Sequence, residues 1–413
     1  MRLSQVLIFL GLAVILGVPF LLRPAATTGN NAAARTLVIV TPHVPQIRDE
    51  FARAFAAWHL REPGVPVRVD FRVPGGTSDI IKQLQAQYNA AIRAGLITAD
   101  GDAEPGTIPI DLMFGGGSYD HGRLAKGDGV TMRLERDGET TTINIPMSVS
   151  AGFEQSQLDE WYGPNQIGAQ QLYDPQQYWL GTALSSFGIV YNKDVLARLG
   201  VEPPKDFTSL TDPALRGWVV LADPRQSGSI ATTFDSILSY YGWDKGWRIL
   251  REMSANTRYF TNSSTKPPID VSQGEAAMGL AIDFYGRGQS QAVVAPGGDP
   301  RDSRVGYIDP AGSVYIDADP VSILRGGPNP DLARSFVAFT LTPEAQALWQ
   351  FPATSTPRGK DNPIGADGQP MGPVEYELRR MPVRRVMYDR YFRNMIDRVD
   401  PFSLASKTEP RGW

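Results

Sequence analysis

The sequence predicts an α/β protein whose sheets are mostly parallel and are flanked by helices. In the first half of the chain, an apolar strand at 37–40, an amphipathic helix at 47–58 and an alternating strand at 65–73 follow one another. A glycine-rich turn then leads into a helix at 80–94, and strand 218–222 opens a similar unit in the second half. This βαβ rhythm gives parallel strands with ligand sites at their carboxyl ends, so we expect the loops after the strands to line a cleft.

The rest of the chain continues this pattern of apolar runs that end at turn residues. Strand 108–114 runs into three glycines, and helix 193–199 is followed by Gly200 and two prolines, which is typical of a helix C-terminus. The other predicted elements, in order, are helices reaching residue 255, helix 271–277, strand 278–284, extended stretches at 304–308 and 315–324, and helices 330–341 and 343–349.

Two extended stretches are typical of connections between lobes. Residues 178–192 (YWLGTALSSFGIVYN) contain two β-like halves around a Ser-Ser-Phe-Gly centre, and residues 293–308 form the second stretch. Glycine near the middle of a long extended segment favours a bend or a close approach of another backbone. We therefore expect the chain to cross between two lobes at these two places.

The composition excludes several classes of protein and site. The 413 residues, 42% of them hydrophobic, are enough for two ordinary domains or one large one. A net charge of -4 provides no basic excess to neutralise phosphates, so nucleic acid is not expected as the main partner. The absence of cysteine excludes disulfides, thiolate metal sites, cysteine nucleophiles and a lipid-modified N-terminal cysteine.

The N-terminal 34 residues are predicted to be a signal peptide or a membrane anchor followed by a spacer. Residues 3–22 carry no charge, and a helix of about 20 residues spans a bilayer core of about 30 Å. Ala32-Ala33-Ala34 provides an A-x-A cleavage site, although it lies well beyond the apolar run, so cleavage stays open. We expect a periplasmic or extracytoplasmic protein that contacts the inner membrane through residues 3–22 if this segment is retained.

Six stretches in a fixed order carry a resemblance to a known family. They are PGGTSDIIKQL at 74–84, DLMFGGGSYD at 111–120, FGIVYNKDVLARLG at 187–200, FTSLTDPALRGWVVLADPRQSGS at 207–229, QGEAAMGLAIDFY at 273–285 and ADPVSILRGGPNPDLARSFVAFTLTPEAQALW at 318–349. With the gaps between them they span roughly two thirds of the chain. The chain resembles a periplasmic extracellular solute-binding protein of an ABC transporter, in the group that contains ferric-iron, thiamine, polyamine and phosphonate binders.

The resemblance implies a type II periplasmic binding protein fold, with two α/β lobes joined by hinge strands that close on a ligand. Lobe 1 would comprise residues 35–179 and 307–349, lobe 2 would comprise residues 180–306, and residues 350–413 would form a C-terminal extension. The resemblance also implies delivery of a small-molecule ligand to an ABC-transporter permease in the inner membrane. No catalytic residue, bound metal or cofactor is expected.

Candidate ligand-binding residues lie in the loops after the strands and in the first crossing. A helix start leaves backbone N–H groups unpaired and carries a partial positive charge, so it can bind an anion or a hydroxyl group. For each glycine or serine turn, a structural role in the turn or helix cap is the alternative. The candidates are Gly75, Gly76, Thr77, Gly116, Gly117, Ser118, Ser186, Ser227, Gly228, Ser229, Asp283 and Tyr285.

Asp283 and Tyr285 lie at the end of the predicted strand 278–284 and bear on the kind of ligand. A carboxylate that interrupts an apolar strand is usually functional or paired, and for Asp283 the alternatives are a helix cap or a buried ion pair with Arg287. Iron-binding members of the resembled group use two adjacent tyrosines after this strand, whereas this chain has Phe284 and Tyr285. One phenolate and His43 make a poor ferric site, so the sequence disfavours iron.

The donor-rich helix starts favour an oxyanion-bearing or polyhydroxylated organic solute, while Asp283 leaves an amine-bearing ligand open. A ligand-sensing module for a membrane receptor is an alternative that the sequence does not separate from transport. A hydrolase is disfavoured, because the chain has three histidines and no GxSxG, HExxH or Walker pattern.

The C-terminal extension contains a predicted linker and a predicted basic helix. Residues 352–372 are rich in proline and glycine, and residues 375–399 place apolar side chains at helical spacing among seven arginines. Such a helix binds a membrane surface or a partner, or packs on lobe 1 with a solvated basic face, and the second arrangement is favoured. Pro382 is predicted to mark the start of this helix.

Overall fold

The computed structural model describes residues 34–136, 139–295 and 298–409. The predicted signal peptide or anchor lies outside these residues. Within them, no helix is both long enough and apolar enough to cross a membrane.

The first half of the chain alternates strands and helices. In chain order its elements are β1 (Arg35–Val40), α1 (Pro45–Arg61), β2 (Val67–Arg72), α2 (Thr77–Arg93), β3 (Leu112–Phe114), α3 (Ser118–Lys126), β4 (Thr131–Arg136), β5 (Glu139–Asn144), β6 (Ser148–Val149), α4 (Gln155–Tyr162), β7 (Leu180–Asn192) and α5 (Lys193–Leu199). Strands β4 and β5 form a separate two-stranded antiparallel sheet.

The second half continues the alternation and then becomes irregular. Its elements are the 3-10 turns Phe207–Thr211 and Pro213–Leu215, β8 (Val219–Ala222), α6 (Gly228–Tyr241), α7 (Trp243–Ala255), β9 (Thr257–Thr261), α8 (Lys266–Gln273), β10 (Met278–Ile282), α9 (Asp283–Ala292), the 3-10 turn Pro300–Asp302, β11 (Val305–Ile308), β12 (Ile316–Leu324), α10 (Pro330–Thr340), α11 (Pro343–Gln350), the 3-10 turn Arg358–Asp361, β13 (Met381–Pro382), α12 (Arg385–Tyr391), the 3-10 turn Phe392–Asn394 and α13 (Pro401–Leu404).

The main sheet follows the order β2-β1-β3-β12-β7-β10-β8-β9. We call β2, β1, β3, β12 and the first part of β7 half-sheet 1, and the second part of β7 with β10, β8 and β9 half-sheet 2. Strands β1, β2 and β3 are parallel, as are β8, β9 and β10, whereas β7 and β12 run antiparallel to their neighbours. The predicted α/β class is confirmed, and the sheet is mixed because the two antiparallel strands lie at its centre.

Strand β7 joins the two half-sheets. Its first residues pair with β12 up to Ser186, and its pairing with β10 begins at Phe187. Gly188 lies directly against the carbonyl group of Ile308 and the ring of Tyr307, so a Cβ atom at this position would clash with both. The first change of partner therefore falls at 186–187, seven residues after the lobe boundary at 179–180 that the resemblance implied.

The second connection between the half-sheets runs through residues 309–315. Strand β11 (Val305–Ile308) still pairs with the second part of β7, and β12 begins at Ile316 opposite Ser186. The predicted crossing at 293–308 therefore ends where the observed connection begins.

Each half-sheet has its own hydrophobic core on both faces. On one face of half-sheet 1, aromatic side chains of α1, α10 and α11 pack together, and the ring centroids of Phe51 and Trp349 are 4.5 Å apart. Helix α2 covers the opposite face with Ile80, Ile81 and Leu84. Half-sheet 2 is covered by two further clusters. Because burying one large apolar side chain contributes about 1.5–3 kcal/mol, each half carries enough core to behave as a packing unit.

The C-terminal extension differs from its prediction. Residues 375–399 do not form one basic helix, because Pro382 pairs in β13 with Ala183 of β7 and only Arg385–Tyr391 forms an α-helix. Arg379, Arg380 and Arg384 are buried rather than solvated, and their charges are paired with Asp397, Asp319 and Glu160, respectively. Ion pairing allows these guanidinium groups to enter the protein interior, which a helical spacing pattern does not reveal.

Glu50 on α1 holds residues 374–376 of this extension in place. Its carboxylate is 1% exposed and accepts hydrogen bonds from the backbone N–H groups of Val374, Glu375 and Tyr376 at 2.8, 2.7 and 3.0 Å. Farther along, Leu378, Met381 and Val383 enter the core of half-sheet 1. The extension is therefore an integral layer of the protein.

Candidate functional site

A cleft of about 800 Å³ lies where the two half-sheets meet. Its walls come from the loops that follow β1, β2, β3, β8, β9 and β10, from the centre of β7, from the first residues of β12, and from one residue of the C-terminal extension. This is the arrangement expected when the carboxyl ends of parallel strands in two halves face each other. The cleft is large enough for a small organic molecule.

Several helices begin at the cleft, and the side chains of their N-cap residues do not cap them. The N-cap residues of α2, α3, α6 and α9 are Gly76, Gly117, Ser227 and Ile282, and none of their side chains accepts a capping hydrogen bond. In α6 the hydroxyl of Ser227 instead lies 3.1 Å from the hydroxyl of Ser229. Because a helix start leaves its first N–H groups without intrahelical acceptors, these four termini direct partial positive charge into one space. At α3 the N–H of Ser118 already donates to Asp317 Oδ2.

Eight of the twelve candidate residues line the cleft. They are Gly76, Thr77, Gly116, Gly117, Ser227, Gly228, Ser229 and Tyr285. They come from both half-sheets, so the structure brings together the two groups of loops that the sequence suggested as opposite walls. The other four, Gly75, Ser118, Ser186 and Asp283, are not among the lining residues.

Three of these four have other partners. The hydroxyl of Ser186 donates to Asp309, and the backbone N–H of Ser118 donates to Asp317 Oδ2 at 3.1 Å. Asp283 is fully buried as the first residue of α9 and pairs with Arg287 Nη1 at 3.1 Å. Burial raises the pKa of Asp283 to about 7, although Arg287 opposes this shift. The ion pair, which was the alternative for Asp283, is therefore its contact in this structure.

A buried charged cluster that the candidate set did not include lies at the base of the cleft. Asp319 on β12 is 2% exposed, and its Oδ2 lies 2.9 Å from Nε2 of His43 and accepts a hydrogen bond from Nη1 of Arg380. Its Oδ1 accepts the backbone N–H of Gly116 at 2.8 Å. Burial opposes ionisation of Asp319, but Arg380 and His43 outweigh it and lower its pKa to about 2. Burial also lowers the pKa of His43.

Asp317 is the second carboxylate of β12 at the cleft. It is 7% exposed, and burial raises its pKa to about 6, against the hydrogen bond from Ser118. Residues 317 and 319 lie two apart in the strand, so both carboxylates face the same side of the sheet. Asp317 and Asp319 also interrupt an apolar strand, which is the signal that marked Asp283 in the sequence and could have identified these two residues.

Residues 72–355, more than half of the chain, match the family model described as bacterial extracellular solute-binding protein. The chain belongs to this solute-binding protein family. The family and the structures that share its fold are binding proteins and not enzymes, which confirms the expectation from the sequence that the chain has a binding function and no catalytic one. Membership also places this solute-binding protein in the periplasm or another extracytoplasmic space.

Relatives of this solute-binding protein include the phosphoglycerate transport regulatory protein PgtC of Salmonella typhimurium. That protein is 25% identical over 219 residues, which are 51% of this chain and 52% of PgtC. The chain spans about half the length of the curated relatives it matches.

Two solved structures show the fold. The periplasmic binding protein AfuA from Actinobacillus pleuropneumoniae, bound to exogenous fructose-6-phosphate, is 20% identical with a TM-score of 0.52, covering 78% of this chain and 82% of AfuA. Iron-bound HitA from Pseudomonas aeruginosa is 16% identical with a TM-score of 0.51, covering 75% of this chain and 82% of HitA. The fold is that of type II periplasmic binding proteins.

The polar side chains at the cleft do not form an open set of metal ligands. Within residues 34–136, 139–295 and 298–409, no group of three or more His, Cys, Asp or Glu side chains is arranged to hold a metal ion. His43 Nε2 and both oxygens of Asp319 already bond to protein groups. A hard ferric ion prefers several oxygen ligands, so this cluster fits it poorly.

Proposed function

We propose that this solute-binding protein captures a small organic solute that carries an oxyanion, in the first place a phosphate group, and delivers it to an ABC-transporter permease. The observation that carries this proposal is the convergence on one cleft of four helix starts whose N-cap residues supply no side-chain cap. Each terminus contributes about 0.3–1 kcal/mol to binding a negative charge, so several acting together make a specific site. The name of the relative PgtC, which refers to phosphoglycerate transport, supports the same class of ligand.

The cleft also provides contacts for the uncharged part of such a solute. The rings of Phe284, Tyr285 and Tyr315 line the cleft together with the side chains of Asn262 and Ser263. Aromatic faces pack against the carbon skeleton of a ligand, and amide and hydroxyl side chains form hydrogen bonds with hydroxyl groups. A phosphorylated polyol or hydroxy acid would use both kinds of contact.

We further propose that the two half-sheets are the cores of two lobes that close on this ligand. The connections that would bend are the partner change of β7 at 186–187 and the segment 309–315. Among the described residues, these two connections within the sheet join halves that have separate cores, which is the arrangement of a hinge. Residues 3–22 are proposed to direct export or to anchor the chain in the inner membrane.

A thermal-shift screen with matched compound pairs tests the proposed ligand class. Fructose 6-phosphate with fructose, and 3-phosphoglycerate with glycerate, differ by one phosphate group, and putrescine and ferric citrate represent the cationic alternatives. A ligand at 100 times its Kd stabilises the protein by about 2.7 kcal/mol, so the phosphorylated member of a pair is expected to raise the Tm. A shift with putrescine or ferric citrate alone would overturn the proposal.

Ligand sensing is a second candidate function, favoured by one observation. The relative PgtC is named as a regulatory protein of transport. Deleting the gene should abolish uptake of the labelled solute if the protein delivers it to a permease. If uptake persists and only the transcriptional response to the solute is lost, sensing is the function.

The raised pKa of Asp317 predicts a specific pH dependence. Below its pKa of about 6 the carboxyl group is neutral, and above it the group is charged and repels a bound oxyanion. We therefore compare the Kd of wild type with the Kd of Asp317→Asn, both for fructose 6-phosphate. The ratio of wild-type Kd to variant Kd should rise about tenfold between pH 5 and pH 7.5. The ligand's own ionisation cancels in this ratio, which calorimetric titration measures. A ratio independent of pH would show that no anionic group binds beside Asp317.

A further inference from the structure

The C-terminal extension contributes a cationic side chain to the cleft. Arg380 precedes β13 and lies beyond residues 72–355, which the family model matches. Pairing of Met381 with Leu184 and of Pro382 with Ala183 holds this part of the extension against the centre of β7. Arg380 is 6% exposed and lines the cleft. A segment outside the matched residues thus forms part of the wall.

Arg380 lies between the two half-sheets. Its Nη1 donates to Asp319 on β12, in half-sheet 1. Its Cζ lies 4.1 Å from the ring centroid of Phe284, in the first turn of α9 beside half-sheet 2. Arg380 is thus held against both sides of the cleft, where a ligand enclosed by the two sides would lie.

The guanidinium group has unused hydrogen-bonding capacity. It carries five N–H donors, and its hydrogen bonds to described residues involve Nη1 alone. Nε is buried and has no partner among the described residues, as is also true of Nδ1 of His43 in the same cluster. Buried donors without acceptors are costly, and an arginine fork matches the geometry of a phosphate or carboxylate group.

Building on the proposed function, we infer that Arg380 is the specificity-determining residue that binds the oxyanion of the solute. The C-terminal extension is then part of the binding site. Asp319 and Phe284 hold the guanidinium plane, and the helix starts supply further donors around the same anionic group. Recognition of an anion by this chain depends on residues that the family match does not include.

Arg380 could instead act only by neutralising Asp319, and the two roles differ in one measurement. With Arg380→Gln alone, the uncompensated charge of Asp319 also repels an anion. The double variant Arg380→Gln, Asp319→Asn removes both charges of the pair. If Arg380 contacts the ligand, affinity stays low in the double variant, whereas a purely neutralising role predicts that affinity returns.

The test is calorimetric titration with inorganic phosphate and with fructose 6-phosphate. Relative to wild type, Arg380→Gln and the double variant should both bind at least tenfold more weakly, and Arg380→Lys should retain part of the affinity. Arg390→Gln, which removes an exposed arginine of α12 that does not line the cleft, is the matched control and should bind as wild type does. Thermal melting verifies that each variant is folded.

The outcomes separate this inference from the proposed function. If wild type binds these anions and the double variant binds them equally well, Arg380 has no direct role and the inference fails alone. If wild type binds neither anion but binds a neutral or cationic solute, the proposed function fails, and the inference fails with it.

Discussion

Replacing Gly228 by aspartate is expected to weaken binding of an oxyanion-bearing solute about a hundredfold. Gly228 is the first residue of α6 and lines the cleft, and a Cβ atom built on it meets no other atom within 4 Å. A side chain at this position therefore enters open space without disturbing the core. Two like charges about 5 Å apart at an effective dielectric constant of about 20 repel each other by about 3 kcal/mol, which corresponds to that loss.

The control for this prediction is Gly228→Asn, which adds a side chain of the same size without the charge. Calorimetric titration with fructose 6-phosphate should show a much smaller loss for the asparagine variant. The Tm of the aspartate variant should not fall, because a carboxylate at a helix start contributes about 0.3–1 kcal/mol to stability. Equal affinities of the two variants would mean that no negative charge binds beside α6.

The part of the site that the sequence predicts is the part built from local signals. A strand, a short glycine or serine turn and a helix follow one another directly in the chain, so the turns at 75–77, 115–118 and 227–229 can be identified without knowledge of the fold. The parallel βαβ order then places their open ends at one edge of a sheet. For this reason the candidate residues that line the cleft come from helix starts and the turns before them.

The part that was missed depends on contacts between distant segments. Arg380 reaches the cleft because β13 pairs with β7, about 200 residues earlier in the chain, and no local pattern encodes that pairing. Its burial depends on Asp319, which lies 61 positions away. The spacing of apolar residues at 383–395 resembles one helix, but the observed helix is only Arg385–Tyr391. Tertiary pairing of charges overrode the helical pattern here.

Replacing Asp397 by asparagine is expected to lower the free energy of unfolding by about 3 kcal/mol. Its carboxylate bonds to Nε and Nη2 of Arg379 at 2.6 Å each, lies 4.0 Å from Nε of Arg287, and accepts from Gln350. Arg379 and Arg287 are each 3% exposed. Removing one partner of a buried pair costs about 3–5 kcal/mol, and the 15% exposure of the Asp397 side chain favours the lower value.

The backbone adds to this dependence on Asp397. Arg379 has a φ of 61°, a conformation that costs free energy for a residue with a Cβ atom. Nη2 and Nη1 of Arg379 also lie 3.5 Å from Ser290 Oγ and Gln291 Oε1 in α9, so this turn joins the extension to the half-sheet 2 side. Without the ion pair, the strained turn that positions Arg380 loses its main stabilising contact.

Chemical denaturation of Asp397→Asn and of Asp389→Asn provides the measurement and its control. Asp389 is exposed on α12 and has no ion pair among the described residues, so its variant should match wild type.

Burial opposes ionisation of Asp397, but Arg379 and Arg287 lower its pKa. A lowered carboxyl pKa contributes stability above the unfolded value of about 3.9 that is lost as the pH falls through the folded pKa. The stability difference between wild type and Asp397→Asn should therefore be complete at pH 7 and shrink below about pH 4, and a difference that persisted in acid would exclude the ion pair as its source.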